Sequence, residues 1–151
     1  MNPTSEAVVV DASTAVKWVL AEEFSDRADA LLMASLRTRR PILAPPHFVS
    51  EVTNAIFQRV RTTDPNKHIP AEQAHAALTQ FLAFPVLLQS PPALYERAFL
   101  IAQHRQLRST YDSLYVALAE LAGAELWTSD RRLLNAVSTP WVRWIGDYPL
   151  P

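Results

Sequence analysis

The feature that most limits the fold is an uninterrupted apolar run near the start of the chain. Residues 7–10 read Ala-Val-Val-Val and are followed at once by Asp11. A strand of a parallel sheet is covered by helices on both faces, so its sequence is continuously apolar instead of alternating. The run therefore predicts a buried parallel strand that ends at Asp11.

Further short strands alternate with amphipathic helices along the rest of the chain. The other strands are expected at 42–44, 86–88, 125–128 and, as an edge strand, 141–145. Helices are expected from Ser13 or Thr14 to about Ala21, after Ser25, after Pro45-Pro46, over 70–84, after Pro91-Pro92 and over 111–122. This alternation predicts an α/β fold, a three-layer α/β/α sandwich around a short, mostly parallel central sheet. The 151 residues are expected to form a single domain over 1–151.

The amino-acid composition excludes several kinds of functional site and limits how the chain can contact nucleic acid. The absence of cysteine excludes a disulfide scaffold, a Cys-ligated zinc or iron–sulfur site and a thiol nucleophile. The two glycines, Gly123 and Gly146, stand too far apart for a glycine-rich phosphate loop. A net charge of -1 means that any contact with nucleic acid must use local basic patches.

The N-terminal sequence and the apolar runs predict a location in the cell. No apolar run approaches the roughly 20 residues that span a bilayer. The first residues also lack the basic-then-apolar order of a signal peptide. We therefore expect a soluble, cytoplasmic protein without membrane contact.

Two aspartates follow predicted strands directly. Asp11 ends the first strand, and Asp130 comes two residues after the strand over 125–128. Ligands of open α/β sheets bind at the carboxyl ends of the strands, so these carboxylates are expected at one edge. Either one alone could instead cap the following helix or shape a turn.

Glu51 and Asp112 are the other acidic candidates, and both lie on predicted helices. Glu51 flanks the apolar stripe that includes Phe48 and Ala55, where a buried carboxylate would need a cation or hydrogen bonds. The alternative is that Glu51 lies at the solvent edge of a narrow stripe. Asp112 begins a largely apolar helix, where the helix dipole alone would favour a negative charge, although a carboxylate at a buried helix start can also hold a metal.

Other catalytic arrangements find no support in the sequence. No two of His47, His68, His75 and His104 have the spacing of a helical zinc site, and all four are interpreted as ordinary histidines. No Gly-x-Ser-x-Gly motif indicates a serine hydrolase. What remains is a set of hard oxygen ligands, which selects Mg²⁺ or Mn²⁺ and suits phosphodiester cleavage.

Four motifs, taken together, resemble those of one family. They are V-V-V-D-A-S-T-A-V-K-W, P-P-x-F-V-S-E-V-T-N-A-I, T-Y-D-S-L-Y-V-A-L-A-E and L-W-T-S-D-R-R-L. In order and spacing they resemble the PIN-domain nucleases, and most of all the VapC toxins of bacterial type II toxin–antitoxin pairs. The resemblance extends over nearly the whole chain.

The resemblance implies a set of site residues and a metal. Its acidic quartet would be Asp11, Glu51, Asp112 and Asp130, with the hydroxyls of Ser13 and Thr128 lining the site. Asp11 and Asp112 would be the most direct ligands of Mg²⁺ or Mn²⁺, with Asp130 as a further metal residue. Glu51 and Asp130 would position metal-bound water or a second ion.

The resemblance also implies an activity and partners. It predicts a metal-dependent endoribonuclease that cuts tRNA or ribosomal RNA, forms a homodimer and is inhibited by a VapB-like antitoxin. Lys17, Arg108, Arg131 and Arg132 are candidates for a phosphate track, although exposed arginines are often merely solvated. The alternative is a PIN-fold module that binds RNA or protein without cutting.

Overall fold

A five-stranded sheet forms the centre of the computed structural model, which describes residue 3 and residues 5–151. The strands are β1 (Val8–Val10), β2 (Ile42–Ala44), β3 (Val86–Leu88), β4 (Glu125–Thr128) and β5 (Val142–Trp144). They lie in the order β3-β2-β1-β4-β5, and each neighbouring pair is parallel. The chain runs outward from β1 through β2 to β3 and then returns to β4 on the other side. The switch point, where ligands bind in such sheets, is therefore between the carboxyl ends of β1 and β4.

Helices cover the sheet and complete a three-layer α/β/α sandwich, which confirms the predicted fold class. They are α1 (Ala12–Ala15), α2 (Ser25–Thr38), α3 (Phe48–Arg61), α4 (Ala71–Leu82), α5 (Leu94–His104), α6 (Thr110–Ala122) and α7 (Arg131–Val137). Two short 3₁₀ turns occupy Val16–Trp18 and Ile145–Asp147. No helix among the described residues has the length and apolar character needed to cross a membrane.

The core is built around β1 and α6. The three valines of β1 are at most 1% exposed, as expected for a central strand covered on both faces. All residues of α6 from Ser113 to Ala119 are buried, because this helix packs on both the sheet and α5. The start of α6 is therefore held firmly beside the switch point.

One local prediction was wrong, and one helix was missed. The first helix was expected to run from Ser13 or Thr14 to about Ala21, but α1 begins after Asp11 and changes to a 3₁₀ turn at Val16. The tighter turn lets the indole N–H of Trp18 donate to the carbonyl of Ala28 at 3.0 Å. Helix α7 was not predicted, because a helix of seven residues presents too few apolar positions for a clear period.

Candidate active site at the carboxyl edge of the sheet

Asp11 lies at the end of β1 and is almost completely buried, with 5% of its surface exposed. Its Oδ1 accepts hydrogen bonds from the Ser13 hydroxyl at 2.6 Å and the Thr14 backbone N–H at 3.0 Å. Its Oδ2 accepts a short hydrogen bond from the Thr128 hydroxyl at the end of β4. Asp11 is thus the N-cap of α1, as the simpler interpretation proposed, and also an anchor between two strands.

Burial favours the neutral form of the Asp11 carboxyl. Loss of hydration raises the pKa of this carboxyl to about 6, and the charge of Asp112 adds to the increase. The hydrogen bonds from Ser13, Thr128 and Thr14 act in the opposite direction without cancelling it. A cation close to Asp11 would remove this penalty on its charged form.

Asp130 lies at the same edge, where it caps α7. Its Oδ1 accepts from the backbone N–H groups of Arg132 at 2.9 Å and Leu133 at 3.4 Å. Its own N–H donates to the Thr128 hydroxyl at 3.0 Å, and that hydroxyl in turn donates to Asp11. The predicted convergence of Asp11 and Asp130 thus occurs through Thr128.

The hydroxyl of Ser13 makes a second connection between the two strand ends. Ser13 Oγ accepts from the Ser129 N–H at 3.1 Å, and the Ser129 hydroxyl donates to the Ser13 carbonyl at 2.9 Å. Both predicted lining hydroxyls therefore lie beside Asp11 and fix the loops after β1 and β4 to one another. This hydrogen bonding leaves little freedom for the Asp11 carboxylate to turn.

Asp112 lies in the first turn of α6 and is half-buried. No described residue donates a hydrogen bond to its carboxylate, in contrast to Asp11 and Asp130. Burial raises its pKa, and the charges of Asp130 and Glu51 raise it further, although Arg132 and His47 act in the opposite direction. Asp112 thus lies close enough to Asp130 and Glu51 to be affected by their charges, and it affects Asp11 in turn.

Glu51 is held by two side chains that the sequence did not single out for the site. The Tyr115 hydroxyl donates to Glu51 Oε1 at 2.7 Å, and His47 Nε2 lies 2.8 Å from the same oxygen. Burial favours the neutral acid, but the hydrogen bonds from His47 and Tyr115 and the proximity of His47 outweigh it and lower the pKa of Glu51. Glu51 therefore stays ionised over most of the pH range, with Oε2 left to other partners.

His47 is not the ordinary histidine that the sequence suggested. Its Nε2 also lies 3.0 Å from the Tyr111 carbonyl, so this nitrogen faces two acceptors and carries the proton. Its Nδ1 is buried and has no partner among the described residues. The ring packs against Tyr115 with centroids 4.9 Å apart. The i, i+4 spacing of His47 and Glu51 on one helical face was a signal for this pair.

Of the basic residues considered for a phosphate track, two lie beside the acids and two do not. Arg108 and Arg132 line a pocket together with Asp112 and Asp130. Arg131 instead stacks its guanidinium 3.7 Å from the ring centroid of Trp144. Lys17 is buried and lies 3.8 Å from Glu22, so it is not available to a ligand.

The chemistry of the site fits a hard divalent cation. Its donors are carboxylate and hydroxyl oxygens, and burial raises the pKa values of both Asp11 and Asp112, so a nearby cation would favour their charged forms. Within the described residues no three acidic or histidine side chains already form a ready-made ligand group. Mg²⁺ commonly uses only one or two protein carboxylates and completes its shell with water and substrate oxygens, so this arrangement is sufficient.

Removal of the Tyr115 hydroxyl tests how Glu51 is held. Tyr115→Phe should raise the pKa of Glu51, because one hydrogen bond to the charged form is lost, and should cost about 1 kcal/mol of stability near neutral pH. Because the pKa of Glu51 is lower in the folded protein than in the unfolded chain, its charged form stabilises the fold at pH values above the unfolded pKa. This contribution is lost as the pH falls, so the difference in stability between Tyr115→Phe and the wild-type protein should shrink in acid. Carboxyl-resolved NMR titration and urea unfolding measure both effects. Tyr148→Phe is the control, because it removes from a half-buried tyrosine a hydroxyl that bonds to no described residue, and an unchanged Glu51 titration in Tyr115→Phe would contradict the assignment.

Comparisons with known proteins give a consistent family assignment. The family model described as PIN domain matches residues 8–138. The chain is 37% identical over 137 residues to Ribonuclease VapC3 of Mycobacterium tuberculosis, covering 89% of this chain and 92% of VapC3. It is 36% identical over 132 residues to Ribonuclease VapC12 of the same organism, covering 85% of this chain and 91% of VapC12. The crystal structure of PAE2754 from Pyrobaculum aerophilum shares the fold with a TM-score of 0.65 and 24% identity, covering 93% of this chain and 91% of that one.

Proposed function

Since the chain belongs to the PIN-domain family, we propose that it is a Mg²⁺- or Mn²⁺-dependent endoribonuclease and the toxin of a type II toxin–antitoxin pair. The observation that carries the proposal is the connection of Asp11 to Asp130 through Thr128 at the switch point of the sheet, with Asp112 lining the same pocket as Asp130. Two similar proteins bear the names Ribonuclease VapC3 and Ribonuclease VapC12, which supports RNA as the substrate.

The residues of the site suit hydrolysis of a phosphodiester bond. A divalent cation held directly by one or two of Asp11, Asp112 and Asp130, and through water by the rest, would supply the positive charge that activates water and stabilises the leaving oxygen. Glu51 Oε2 would accept the proton from the attacking water, because Oε1 is already occupied by Tyr115 and His47. The hydroxyls of Ser13 and Thr128 keep Asp11 aimed at the site.

The proposed partners follow from the same assignment. We expect the substrate to be tRNA or ribosomal RNA and the inhibitor to be a VapB-like antitoxin that pairs an Arg or Lys with the acidic quartet. The apolar side chains of Tyr95, Phe99 and Leu100 are 45% to 59% exposed on α5 and support a homodimer. A module that only binds RNA would gain nothing from acids that repel phosphate, so the geometry favours cleavage over binding alone.

Metal dependence of RNA cleavage is the direct test. Purified protein incubated with total RNA should cut it in Mg²⁺ or Mn²⁺ and leave it intact in excess EDTA, with activity restored when the metal is returned. Cleavage is measured on denaturing gels, with heat-denatured protein as the control. Cleavage that persists unchanged in EDTA would refute the mechanism, and binding without cleavage in either metal would favour the silent RNA-binding module.

A further inference from the structure

A pocket of 270 Å³ lies beside the acids, between the segment 105–109 and helix α7. Asp112 and Asp130 both line it, so the pocket adjoins the proposed reaction centre. The remaining lining residues are Gln106, Leu107, Arg108, Arg132, Leu133 and Ala136. Its volume lies just below the range of about 300–1,000 Å³ that is typical for sites of drug-sized ligands, so it suits a ligand as small as one nucleotide.

Two guanidinium groups make the pocket suitable for an anion. Arg108 is exposed and forms no ion pair with any described residue. The Arg132 side chain is 85% exposed, and its Nε lies 3.6 Å from Asp130 Oδ1, a separation that holds it only loosely. When a cation neutralises Asp112 and Asp130, both arginines face the pocket with unbalanced positive charge. Arginine is well suited to phosphate, because its donors match two phosphate oxygens at once.

The other side of the pocket is apolar and can accept a flat group. Leu133 is 3% exposed, and Leu107 and Ala136 are half-buried next to it. At the rim, Gln106 has a φ of 54°, a left-handed conformation that is costly for a residue other than glycine. Gln106 is exposed and lines the pocket, and its side-chain amide can both donate and accept hydrogen bonds.

We propose that this pocket binds the nucleotide next to the scissile phosphate of a single-stranded RNA. Arg108 and Arg132 contact the neighbouring phosphate, and the base or ribose packs on Leu107, Leu133 and Ala136. The inference rests on the proposed nuclease function and adds to it a binding subsite formed by Arg108, Arg132 and the apolar lining of this pocket. Bases of single-stranded RNA are free to leave a stack and enter such a pocket, whereas those of a duplex are not.

Binding of a labelled, mixed-sequence 12-nucleotide RNA in Ca²⁺ tests the subsite with the acids neutralised, and a denaturing gel checks that the RNA stays intact. Arg108→Gln and Arg132→Gln should each weaken binding about tenfold. Each should also make the plot of log affinity against log salt shallower by about 0.7, because one phosphate contact of a single strand is lost. Arg105→Gln is the matched control: it removes the same charge from an exposed residue of the same segment that does not line this pocket. It should change the affinity less than twofold.

A second variant tests the apolar side of the pocket without changing the charge. Ala136→Leu keeps a good helix former in α7 and fills part of the cavity, so it should weaken RNA binding while leaving the salt dependence as in the wild-type protein. Thermal melting confirms that the variant is folded. Weakened binding here shows that the pocket, and not merely surface charge, receives the RNA.

The outcomes separate this inference from the proposed function. If both arginine variants and Ala136→Leu bind RNA like the wild-type protein, or if the wild-type protein binds no RNA, the subsite is refuted. If the variants lose RNA affinity but the wild-type protein cuts nothing in Mg²⁺, the subsite is supported and the nuclease function fails. If RNA affinity is unchanged but a co-expressed antitoxin no longer inhibits the variants, the pocket belongs to a protein partner and the inference is overturned.

Discussion

Asp112→Asn is expected to abolish RNA cleavage, with a loss of at least about a thousandfold in kcat, comparable to the removal of one essential electrostatic group from an active site. Asparagine keeps the shape of the side chain but removes the charge needed to hold a divalent cation. The structure supports a site role over a capping role, because the Asp112 carboxylate accepts no hydrogen bond from the described backbone. Single-turnover cleavage of RNA in saturating Mg²⁺ measures the effect, and growth arrest on expression should disappear with it.

The same variant separates a metal ligand from a stabiliser of the helix start. Removal of a charge that is repelled by Asp130 and Glu51 should raise the melting temperature in EDTA and shrink the increase that Mg²⁺ causes. Glu96→Gln is the control, because it neutralises an exposed acid in the first turn of the neighbouring helix α5. A lower melting temperature with an intact Mg²⁺ shift would mean that Asp112 serves only the helix.

In EDTA the wild-type protein is expected to become less stable between pH 4 and pH 6, and Asp11→Asn is expected to lose much less stability over the same range. The folded-state pKa of Asp11 is about 6, above its ordinary value of 3.8, so the folded protein binds more protons than the unfolded chain within that window. The free energy of unfolding therefore falls as pH rises through it, by up to about 3 kcal/mol in total. The raised pKa of Asp112 acts in the same direction, whereas the lowered pKa of Glu51 acts in the opposite one.

Urea unfolding at several pH values gives the measurement, with and without Mg²⁺. Asparagine carries no charge to desolvate, so the variant should be the more stable protein at pH 7 in EDTA. Mg²⁺ at a hundred times its dissociation constant should stabilise the wild-type protein by about 2.7 kcal/mol and the variant by much less. Asp147→Asn, at an exposed aspartate near the C-terminus, should follow the wild-type curve. A wild-type pH dependence in Asp11→Asn would contradict the assignment of the raised pKa.

The architecture could be predicted because it depends on local patterns. The continuous apolar run of β1 predicted a covered parallel strand, and the strands expected at 42–44, 86–88 and 125–128 are present with the same bounds. Each pattern is contained in a few consecutive residues, so it can be recognised without knowing which residues are neighbours in space. The short α7 and the early end of α1 escaped prediction because seven and four residues do not establish a helical period.

The site was predictable only in part. Strand ends predicted that Asp11 and Asp130 share an edge, because carboxyl ends of parallel strands lie together. The resemblance to the PIN-domain nucleases was needed to group Glu51 and Asp112 with these two aspartates. The catalytic roles that it implies for the four acids remain proposals. The local sequence gave no indication that Tyr115 would reach Glu51, 64 residues away, or that Arg108 and Arg132 would share a pocket.

The sequence by itself thus determined the strands, most of the helices and the edge of the sheet at which Asp11 and Asp130 lie. Only the tertiary structure decided in which direction the pKa of Asp11 and that of Glu51 are shifted. Asp11 and Glu51 are both carboxylates near the same site, yet burial raises the pKa of one while His47 and Tyr115 lower that of the other. The physical reason is that a pKa depends on hydration and on donors within about 3 Å, and packing between residues far apart in the chain sets those distances.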